Sequence, residues 1–354
     1  MPNKGNIDSW SAVARTRTLG QILLVLLLIL SAGSSTARER TVTDMADRTV
    51  SFDKPITRII TTFKPATLSV FSLGLQGRLV GVDNSSSRDQ LNLAVYPEIA
   101  KITTIGSKSA GVNFETIVSL RPQMVILYAQ KDGLVLADRL ERIGIKSIVI
   151  LPESYASIKE CLSLIATAVG EPELAEKTVT AMDSMLLMVD DRLGSLPDEE
   201  RKRAYFGSPR GIFSTATGNM LQDEIFARAG VYNVAHELHG YFQDVSPEQL
   251  LVWNPDIIIL SQRLSEHDLS GFNNPALQSV TAIKEKAIHR CPSDISPWDF
   301  PSPLSVLGSL WIAGKAYPEL ITQAEVQKGI DRFHQELFGQ TLDEMGGHLN
   351  DVVN

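Results

Sequence analysis

The chain has 354 residues, of which 44% are hydrophobic and 21% charged, and its formal net charge is −8. This composition is typical of a globular protein, and the length suits two domains of about 150 residues each. The excess of acidic residues argues against binding to nucleic acid or to an anionic membrane surface.

The first 37 residues have the pattern of a cleaved secretory signal. Basic residues precede an apolar run at 22–30, and Ser35-Thr36-Ala37 offers the small residues that a signal peptidase reads. Even the wider stretch 19–33 falls short of the ~20 apolar residues that a membrane-spanning helix needs. The signal segment carries a charge of +2, so the mature chain carries −10. No cysteine lies near the cleavage site to take a lipid anchor, so we expect a periplasmic protein.

Strands and helices alternate in the first half of the mature chain. The predicted strands are 58–62, 78–82, 124–128 and 147–151, and the predicted helices between them are 66–75 and 135–143. Each of these helices is followed by a glycine that suits a left-handed helix cap. The alternation predicts a parallel sheet covered on both faces.

The middle of the chain has no strand signal. One helix is predicted to end at Gly170, and a longer one begins at Glu173. In the second helix, apolar residues recur every three or four positions: Ala175, Val179, Met182, Leu186, Val189 and Leu193. This spacing predicts a single continuous apolar stripe.

The alternation then starts again with predicted strands at 203–207, 257–260 and 287–290 and a helix at 221–229. A proline-rich loop at 293–303 leads to two final helices, 304–317 and one that ends near 338. We therefore predict an α/β protein with two Rossmann-like lobes, each with a parallel sheet, bridged by a single long helix. The predicted limits are a signal peptide at 1–37, an N-terminal lobe at 38–172, a connecting helix at 173–196 and a C-terminal lobe at 197–354.

A repeat supports this duplication. The sequence ETIVSLRPQMVIL at 115–127 is echoed 133 residues later by EQLLVWNPDIIIL at 248–260. In each copy a glutamate opens a short helix, and a residue before proline, Arg121 or Asn254, ends it because that position disfavours the α conformation. Four apolar residues follow, which is typical of a strand buried on both faces.

Ligand sites in open parallel sheets lie at the carboxyl ends of the strands, and two such lobes form a cleft where these ends face each other. We therefore expect the ligand to contact side chains that follow the strands. The candidates are Phe63, Lys64, Arg88, Lys108, Tyr128, Gln130, Arg210, Phe213, Arg263 and Trp298. Six of the residues in these loops, including Lys131, are basic, and aromatic residues lie between them. This pattern favours an anionic ligand with flat or aromatic parts.

Four segments resemble the periplasmic substrate-binding proteins of ABC importers that carry ferric siderophores, haem and cobalamin. The segments are VNFETIVSLRPQMVIL, GNMLQDEIFARAGVYNVA, FQDVSPEQLLVWNPDIIIL and SPWDFPSPLSVLGSLWIAGKAYPEL. The resemblance covers essentially all of residues 40–340. It implies a monomeric receptor without cofactor or resident metal that delivers its ligand to an ABC importer permease in the inner membrane.

The resemblance also assigns residues. It adds Phe242 to the pocket, and it implies that one surface glutamate on each lobe docks basic pockets of the permease. Glu98 fits the first position, and Glu237 is the candidate in the second lobe, where the usual glutamate is displaced. A single crossing helix bends less readily than extended hinges, so we expect a small lobe rotation on ligand binding.

The ligand class stays open at this point. The mixture of basic and aromatic residues favours a metal chelate, above all a ferric siderophore. Haem or cobalamin would depend more on Tyr128, Phe213, Phe242 and Trp298, whereas an oxyanion such as molybdate needs few aromatic residues.

Two other classes of protein are less compatible with the sequence. A zinc or manganese receptor needs three or four converging ligands, and only His236, Glu237 and His239 lie close together. An enzyme, for example one that processes a periplasmic chelate, would need a catalytic motif, and none of the common ones is present. Cys161 and Cys291 lie in different halves of the chain, which favours two buried thiols over a disulfide.

Overall fold

The computed structural model describes residue 1 and residues 39–107, 111–130, 133–292 and 294–349. The predicted signal peptide, apart from Met1, and the candidate ligand residue Lys108 lie outside these ranges. No helix in the described ranges is long and apolar enough to cross a membrane.

The N-terminal lobe is built on a five-stranded parallel sheet with the order β5-β4-β3-β8-β9. Two antiparallel pairs, β1 with β2 and β6 with β7, lie beside it. The strands are β1 (Arg40–Thr43), β2 (Thr49–Phe52), β3 (Ile59–Thr61), β4 (Leu79–Val82), β5 (Thr103–Thr104), β6 (Gly106–Ser107), β7 (Gly111–Val112), β8 (Met124–Tyr128) and β9 (Ser147–Ile150). The helices are α1 (Lys64–Ser72), α2 (Gln90–Val95), α3 (Phe114–Ser119), α4 (Gly133–Arg142) and α5 (Tyr155–Val169).

A 21-residue helix, α6 (Glu173–Leu193), follows the first lobe. Five of the six residues of its predicted apolar stripe are buried, and Val179 packs against the core with partial exposure. The helix begins with Glu173 and Glu176 in its first turn, where carboxylates interact favourably with the helix dipole.

The C-terminal lobe has a four-stranded parallel sheet with the order β12-β10-β14-β15, and β11 pairs with β13 in an antiparallel ribbon. The strands are β10 (Arg203–Gly207), β11 (Ser214–Thr215), β12 (Tyr232–Asn233), β13 (Gln243–Asp244), β14 (Ile257–Leu260) and β15 (Ile288–Arg290). The helices are α7 (Leu221–Arg228), α8 (Pro247–Trp253), α9 (Thr281–Lys284), α10 (Ser305–Ala316) and α11 (Gln323–Phe338). The prediction of two parallel-sheet α/β lobes is confirmed.

The repeat has the same backbone conformation in both lobes. The residue before the repeat proline is left-handed in each copy, with φ +47° at Arg121 and +42° at Asn254. In each lobe the repeat strand pairs in parallel with the first long strand of its sheet, β3 with β8 and β10 with β14. Each repeat helix therefore ends before its proline, and in both copies the pre-proline residue lies outside the α-helical region, as predicted.

An arginine closes each repeat helix. The Arg58 guanidinium donates to the carbonyl oxygens of Leu120, at 2.5 Å, and Arg121, at 3.1 Å. In the second lobe the Arg203 guanidinium donates to the carbonyl oxygen of Trp253 at 3.2 Å. These contacts satisfy carbonyl groups that a helix end otherwise leaves unpaired.

One hydrophobic core continues through both lobes. It contains Ile59 of the first sheet, Met182 of α6, Phe206 of the second sheet, and Leu310 and Ile330 of the last two helices. Helix α6 packs against α5 on one side and α10 and α11 on the other, and α11 also contacts α1. Because closely packed interiors resist shear, we expect this continuous core to limit lobe rotation on ligand binding.

Candidate functional site

Loops that follow the strands of the two sheets meet where the lobes touch, and we call this junction the cleft, with one wall from each lobe. Two direct contacts join the loops at these ends. The backbone nitrogen of Leu91, beyond β4, donates to the carbonyl oxygen of Ile295, beyond β15, at 3.1 Å. The Gln130 side-chain nitrogen, beyond β8, donates to the hydroxyl oxygen of Tyr241 at 2.6 Å. These contacts bring loops at the carboxyl ends of the two sheets together, and the predicted site residues are described below by the loops that carry them.

The N-terminal wall contains a pair of aromatic rings. The ring centroids of Phe63 and Tyr128 are 4.6 Å apart, and Phe63 is only 4% exposed. Phe63 occupies the position before α1, two residues after β3, and a proline lies in the first turn of the helix. The hydroxyl of Tyr128 donates to the Glu153 carboxylate. The protein itself therefore engages the hydroxyl of Tyr128.

Lys64, a predicted ligand residue, forms a salt bridge with Asp89 inside the N-terminal lobe. The side chains are 17% and 2% exposed, respectively. Burial raises the pKa of the Asp89 carboxyl, and the Lys64 ammonium group partly offsets this rise. Asp89 also accepts a hydrogen bond from the Asn92 backbone nitrogen at 3.2 Å and so caps α2. The positive charge of Lys64 is thus neutralised by the protein itself.

Arg88 lies on the exposed side of the loop between β4 and α2. The Asp83 carboxylate holds this loop by accepting hydrogen bonds from the backbone nitrogens of Ser85, at 2.9 Å, and Ser86, at 3.2 Å. Arg88 forms no salt bridge with any other residue in the described ranges. It is therefore a cation on a fixed loop at the edge of the cleft.

The C-terminal wall begins with the loop around Arg210. Its guanidinium donates to the carbonyl oxygen of Phe242 at 3.0 Å and lies 3.4 Å from a carboxylate oxygen of Asp244. The side chains of this ion pair are 54% and 74% exposed, so the pair contributes little stability and a ligand can compete for Arg210. The Phe242 ring stacks on Phe206 with centroids 6.4 Å apart, and Phe213 is half-buried.

Arg263 is exposed three residues after β14 and, within the part of the chain that the structure describes, makes no salt bridge. Its charge acts on the carboxyl of Asp299, which is only 8% exposed. Burial raises the pKa of the Asp299 carboxyl, and the Ser261 hydroxyl and the Arg263 charge act in the opposite direction. Arg263 thus gives the C-terminal wall a cation comparable to Arg88 on the other wall.

Trp298 requires a correction. The sequence predicts it as a pocket residue, but its side chain is fully buried. Its ring lies 6.3 Å from that of His334 on α11, so the proline-rich loop folds the indole inward against the last helix. Trp298 therefore offers no ring face to a ligand in this conformation.

Of the six cations that the sequence predicts for these loops, the structure describes four. Lys64 and Arg210 have acidic partners, and Lys108 and Lys131 lie outside the described ranges. Arg88 and Arg263 remain, one on each wall.

Sequence reasoning missed two cleft residues. Tyr241 directly precedes the predicted Phe242, and Glu153 follows β9, whose loop received no candidate. Glu153 accepts hydrogen bonds from Tyr128 and, at 3.4 Å, from Gln130. Applying the strand-end rule to every strand of the first sheet would have found Glu153, whereas nothing local distinguishes Tyr241.

One of the two histidines near Glu237 has an acidic partner within the protein. His236 pairs with Asp223 through its Nδ1 atom at 3.0 Å. Within the described ranges there is no group of three or more His, Cys, Asp or Glu side chains that could hold a metal ion. Glu98 and Glu237 are both exposed, Glu98 on a short 3-10 helix, Pro97–Lys101.

A cavity of about 650 Å³ opens outside the cleft, on the C-terminal lobe beside β12. Acidic and basic side chains alternate around it, including Asp198, Arg201, Arg203 and Asp223. A lining of both charges favours no single ligand class. The cleft, where Arg88 and Arg263 make no salt bridge to a described residue, is the better candidate.

The comparisons with known proteins agree with this architecture. The sequence profile described as "Periplasmic binding protein" matches residues 59–295. The molybdate-binding protein MolA of Haemophilus influenzae is 26% identical over 343 aligned residues, which cover 89% of this chain and 95% of MolA. The vitamin B12-binding protein of Vibrio vulnificus is 22% identical, with 68% of this chain and 83% of that protein covered.

Solved structures show the same fold. MolA bound to molybdate superposes with a TM-score of 0.74 at 22% identity, covering 85% of this chain and 98% of MolA. A periplasmic solute-binding protein from Veillonella parvula gives 0.75 at 22% identity, covering 88% and 97%. The profile match, the relatives and the shared fold together show that this chain belongs to the periplasmic binding protein family and is a substrate-binding protein of ABC transport, not an enzyme.

Proposed function

We propose that this protein captures a small anionic ligand in the cleft between its lobes, in the periplasm, and delivers it to the permease of an ABC importer. The observation that carries this proposal is the pair of exposed arginines, Arg88 and Arg263, that approach the cleft from opposite lobes without a salt bridge to a described residue. Guanidinium groups on both walls favour an anion that bridges them, because charge-assisted hydrogen bonds are strong and geometrically specific.

The ligand class that fits best is a compact oxyanion, with molybdate as the representative. Phe63 and Trp298 are buried, and Tyr128 uses its hydroxyl on Glu153. Few flat ring faces are therefore open to a macrocycle such as haem or the corrin of cobalamin, both of which gain most from aromatic contact. The similarity to MolA along nearly the whole chain points in the same direction.

A ferric siderophore, the ligand that the sequence favours, is the second candidate. Phe213 and Phe242 are half-buried on the C-terminal wall, and Arg210 lies beside Phe242 in an exposed and easily broken ion pair. Together with Arg263 these side chains combine apolar edges with cations, which suits a ferric catecholate better than a bare oxyanion.

Isothermal titration calorimetry with molybdate, sulfate and a ferric catecholate siderophore distinguishes the candidates. For the true ligand, Arg88→Ala and Arg263→Ala should each weaken binding at least tenfold, because a hydrogen bond to a charged group contributes about 1.5–3 kcal/mol. Arg142→Ala is the matched control, since this exposed arginine ends α4 at the opposite edge of the sheet. Unchanged affinity in both cleft variants would remove these arginines from the site.

Delivery is proposed to depend on Glu98 and Glu237, which are exposed and available to basic pockets of a permease. Charge reversal at either position should lower the ligand-stimulated ATPase activity of the reconstituted importer and leave ligand affinity unchanged. Glu141→Lys, on the exposed end of α4, serves as the control. Full stimulation by both reversed variants would contradict the assignment.

A further inference from the structure

We propose that Tyr241 and Gln130 form a clasp across the mouth of the cleft, and that this clasp sets how long the ligand stays bound. The clasp is the hydrogen bond of 2.6 Å from the Gln130 side-chain nitrogen to the Tyr241 hydroxyl oxygen. It joins residues 111 positions apart that belong to opposite lobes. The role in retaining ligand rests on the proposed function, whereas the role in holding the lobes together does not.

The direction of this hydrogen bond follows from Glu153. The Gln130 amide also approaches the Glu153 carboxylate, at 3.4 Å, and an ionised carboxylate only accepts hydrogen bonds. The amide nitrogen must therefore face Glu153, and its second hydrogen reaches Tyr241. Tyr241 thus acts as the acceptor in the clasp, and its own O–H points away from Gln130, where it can donate to an oxygen atom of a bound anion.

The N-terminal half of the clasp is rigidly supported. Gln130 lies two residues beyond β8, and the backbone nitrogen of Ala129 donates to the Ile150 carbonyl oxygen at 3.0 Å. Glu153 accepts from Tyr128 as well as from Gln130, so one carboxylate ties the clasp to the aromatic pair beneath it. A shift of Tyr128 is therefore transmitted to Gln130.

The C-terminal half is fixed on both sides of Tyr241. The backbone nitrogen of Gly240 donates to the Asn219 side chain at 3.0 Å, and Gly240 has φ +89°, a conformation that favours glycine. On the other side, Phe242 stacks on Phe206. Tyr241 itself is 58% exposed, so the loop presents this ring to the opposite lobe instead of burying it.

Opening the cleft requires this hydrogen bond to break. The loss of one hydrogen bond of ordinary strength corresponds to about a fivefold change in rate or equilibrium. Gln130→Met removes the clasp but keeps the tyrosine hydroxyl, so molybdate should dissociate about fivefold faster. Tyr241→Phe removes both the clasp and the donor to the ligand, so the acceleration should be larger, about tenfold or more. Association should change little in either variant.

The experiment has two arms. In the first, stopped-flow fluorescence measures molybdate dissociation from wild type, Gln130→Met, Tyr241→Phe and the control Tyr232→Phe, which alters another exposed tyrosine of the same lobe. In the second, spin labels at Lys101→Cys and Lys284→Cys, exposed positions on the two lobes, report the interlobe distance of ligand-free protein. The native Cys161 and Cys291 are buried and should not take the label.

We expect a broader and longer distance distribution in both clasp variants and a wild-type distribution in Tyr232→Phe. Unchanged distances in Gln130→Met and Tyr241→Phe would overturn the clasp, whatever the ligand. Wider distances together with unchanged molybdate dissociation would overturn its role in retaining the ligand. Failure of wild type to bind molybdate contradicts the proposed ligand and leaves the distance arm to decide on the clasp.

Discussion

Replacing Lys64 by methionine tests whether this cleft residue serves the fold or the ligand. Its ion pair with Asp89 is largely buried, with side-chain exposures of 17% and 2%. Breaking a buried pair typically costs about 3–5 kcal/mol, and the residual exposure of Lys64 reduces our expectation to about 2–3 kcal/mol at pH 7. The destabilisation arises because the Asp89 carboxylate is left buried without its cation.

The pH dependence of this effect has a definite sign. Burial already raises the pKa of Asp89, and removal of Lys64 takes away a group that lowers it. The folded variant then binds a proton at Asp89 more readily than the unfolded chain does. The destabilisation should therefore be smallest near pH 4 and should grow as pH rises through the raised pKa of Asp89.

Urea denaturation followed by circular dichroism at pH 4.5 and pH 7 measures these free energies. The matched control is the double variant Lys64→Met with Asp89→Asn, because asparagine can still cap α2 and leaves no buried charge. It should recover most of the lost stability. If Lys64→Met is as stable as wild type but loses molybdate affinity, Lys64 is a ligand residue, as the sequence predicts, and the structural interpretation fails.

Three further predictions concern buried polar groups. Tyr155→Phe removes the hydrogen bond that the tyrosine hydroxyl donates to the Ser305 carbonyl, at 3.0 Å, and the one that it shares with the Ser309 hydroxyl, at 2.7 Å. The free energy of unfolding measured in urea should fall by about 1–2 kcal/mol, and an unchanged midpoint would contradict this. Burial lowers the pKa of His334 to about 4, so wild type should lose stability as pH falls from about 6.5 to 4, and His334→Leu should lack this part of the slope. Burial raises the pKa of the Cys161 thiol to about 12 and that of the Cys291 thiol well above its usual value. Neither thiol should therefore react with Ellman's reagent at pH 8 in the folded protein, and two thiols should react in urea. A disulfide between them would leave no reactive thiol in urea.

The elements that sequence patterns predicted correctly are those with strong local signals. The apolar runs of β8 and β14 and the stripe of α6 are encoded by the residues of each segment alone. The hairpin of β1 and β2 and the short strands beside each sheet were missed, because two to four residues carry too little periodicity. Their pairing depends on partners elsewhere in the chain.

The sequence by itself determined that two α/β lobes are joined by one long helix, because periodicity, proline stops and the repeated segment are local properties. It also located the loops where the strands end. Only the tertiary structure decided what the side chains in those loops do. Lys64 is neutralised by Asp89, Trp298 turns inward onto α11, and Tyr241 reaches Gln130 across the cleft. The physical reason is that charge pairing, burial and hydrogen bonding depend on distances in space between residues that are 25 to 111 positions apart.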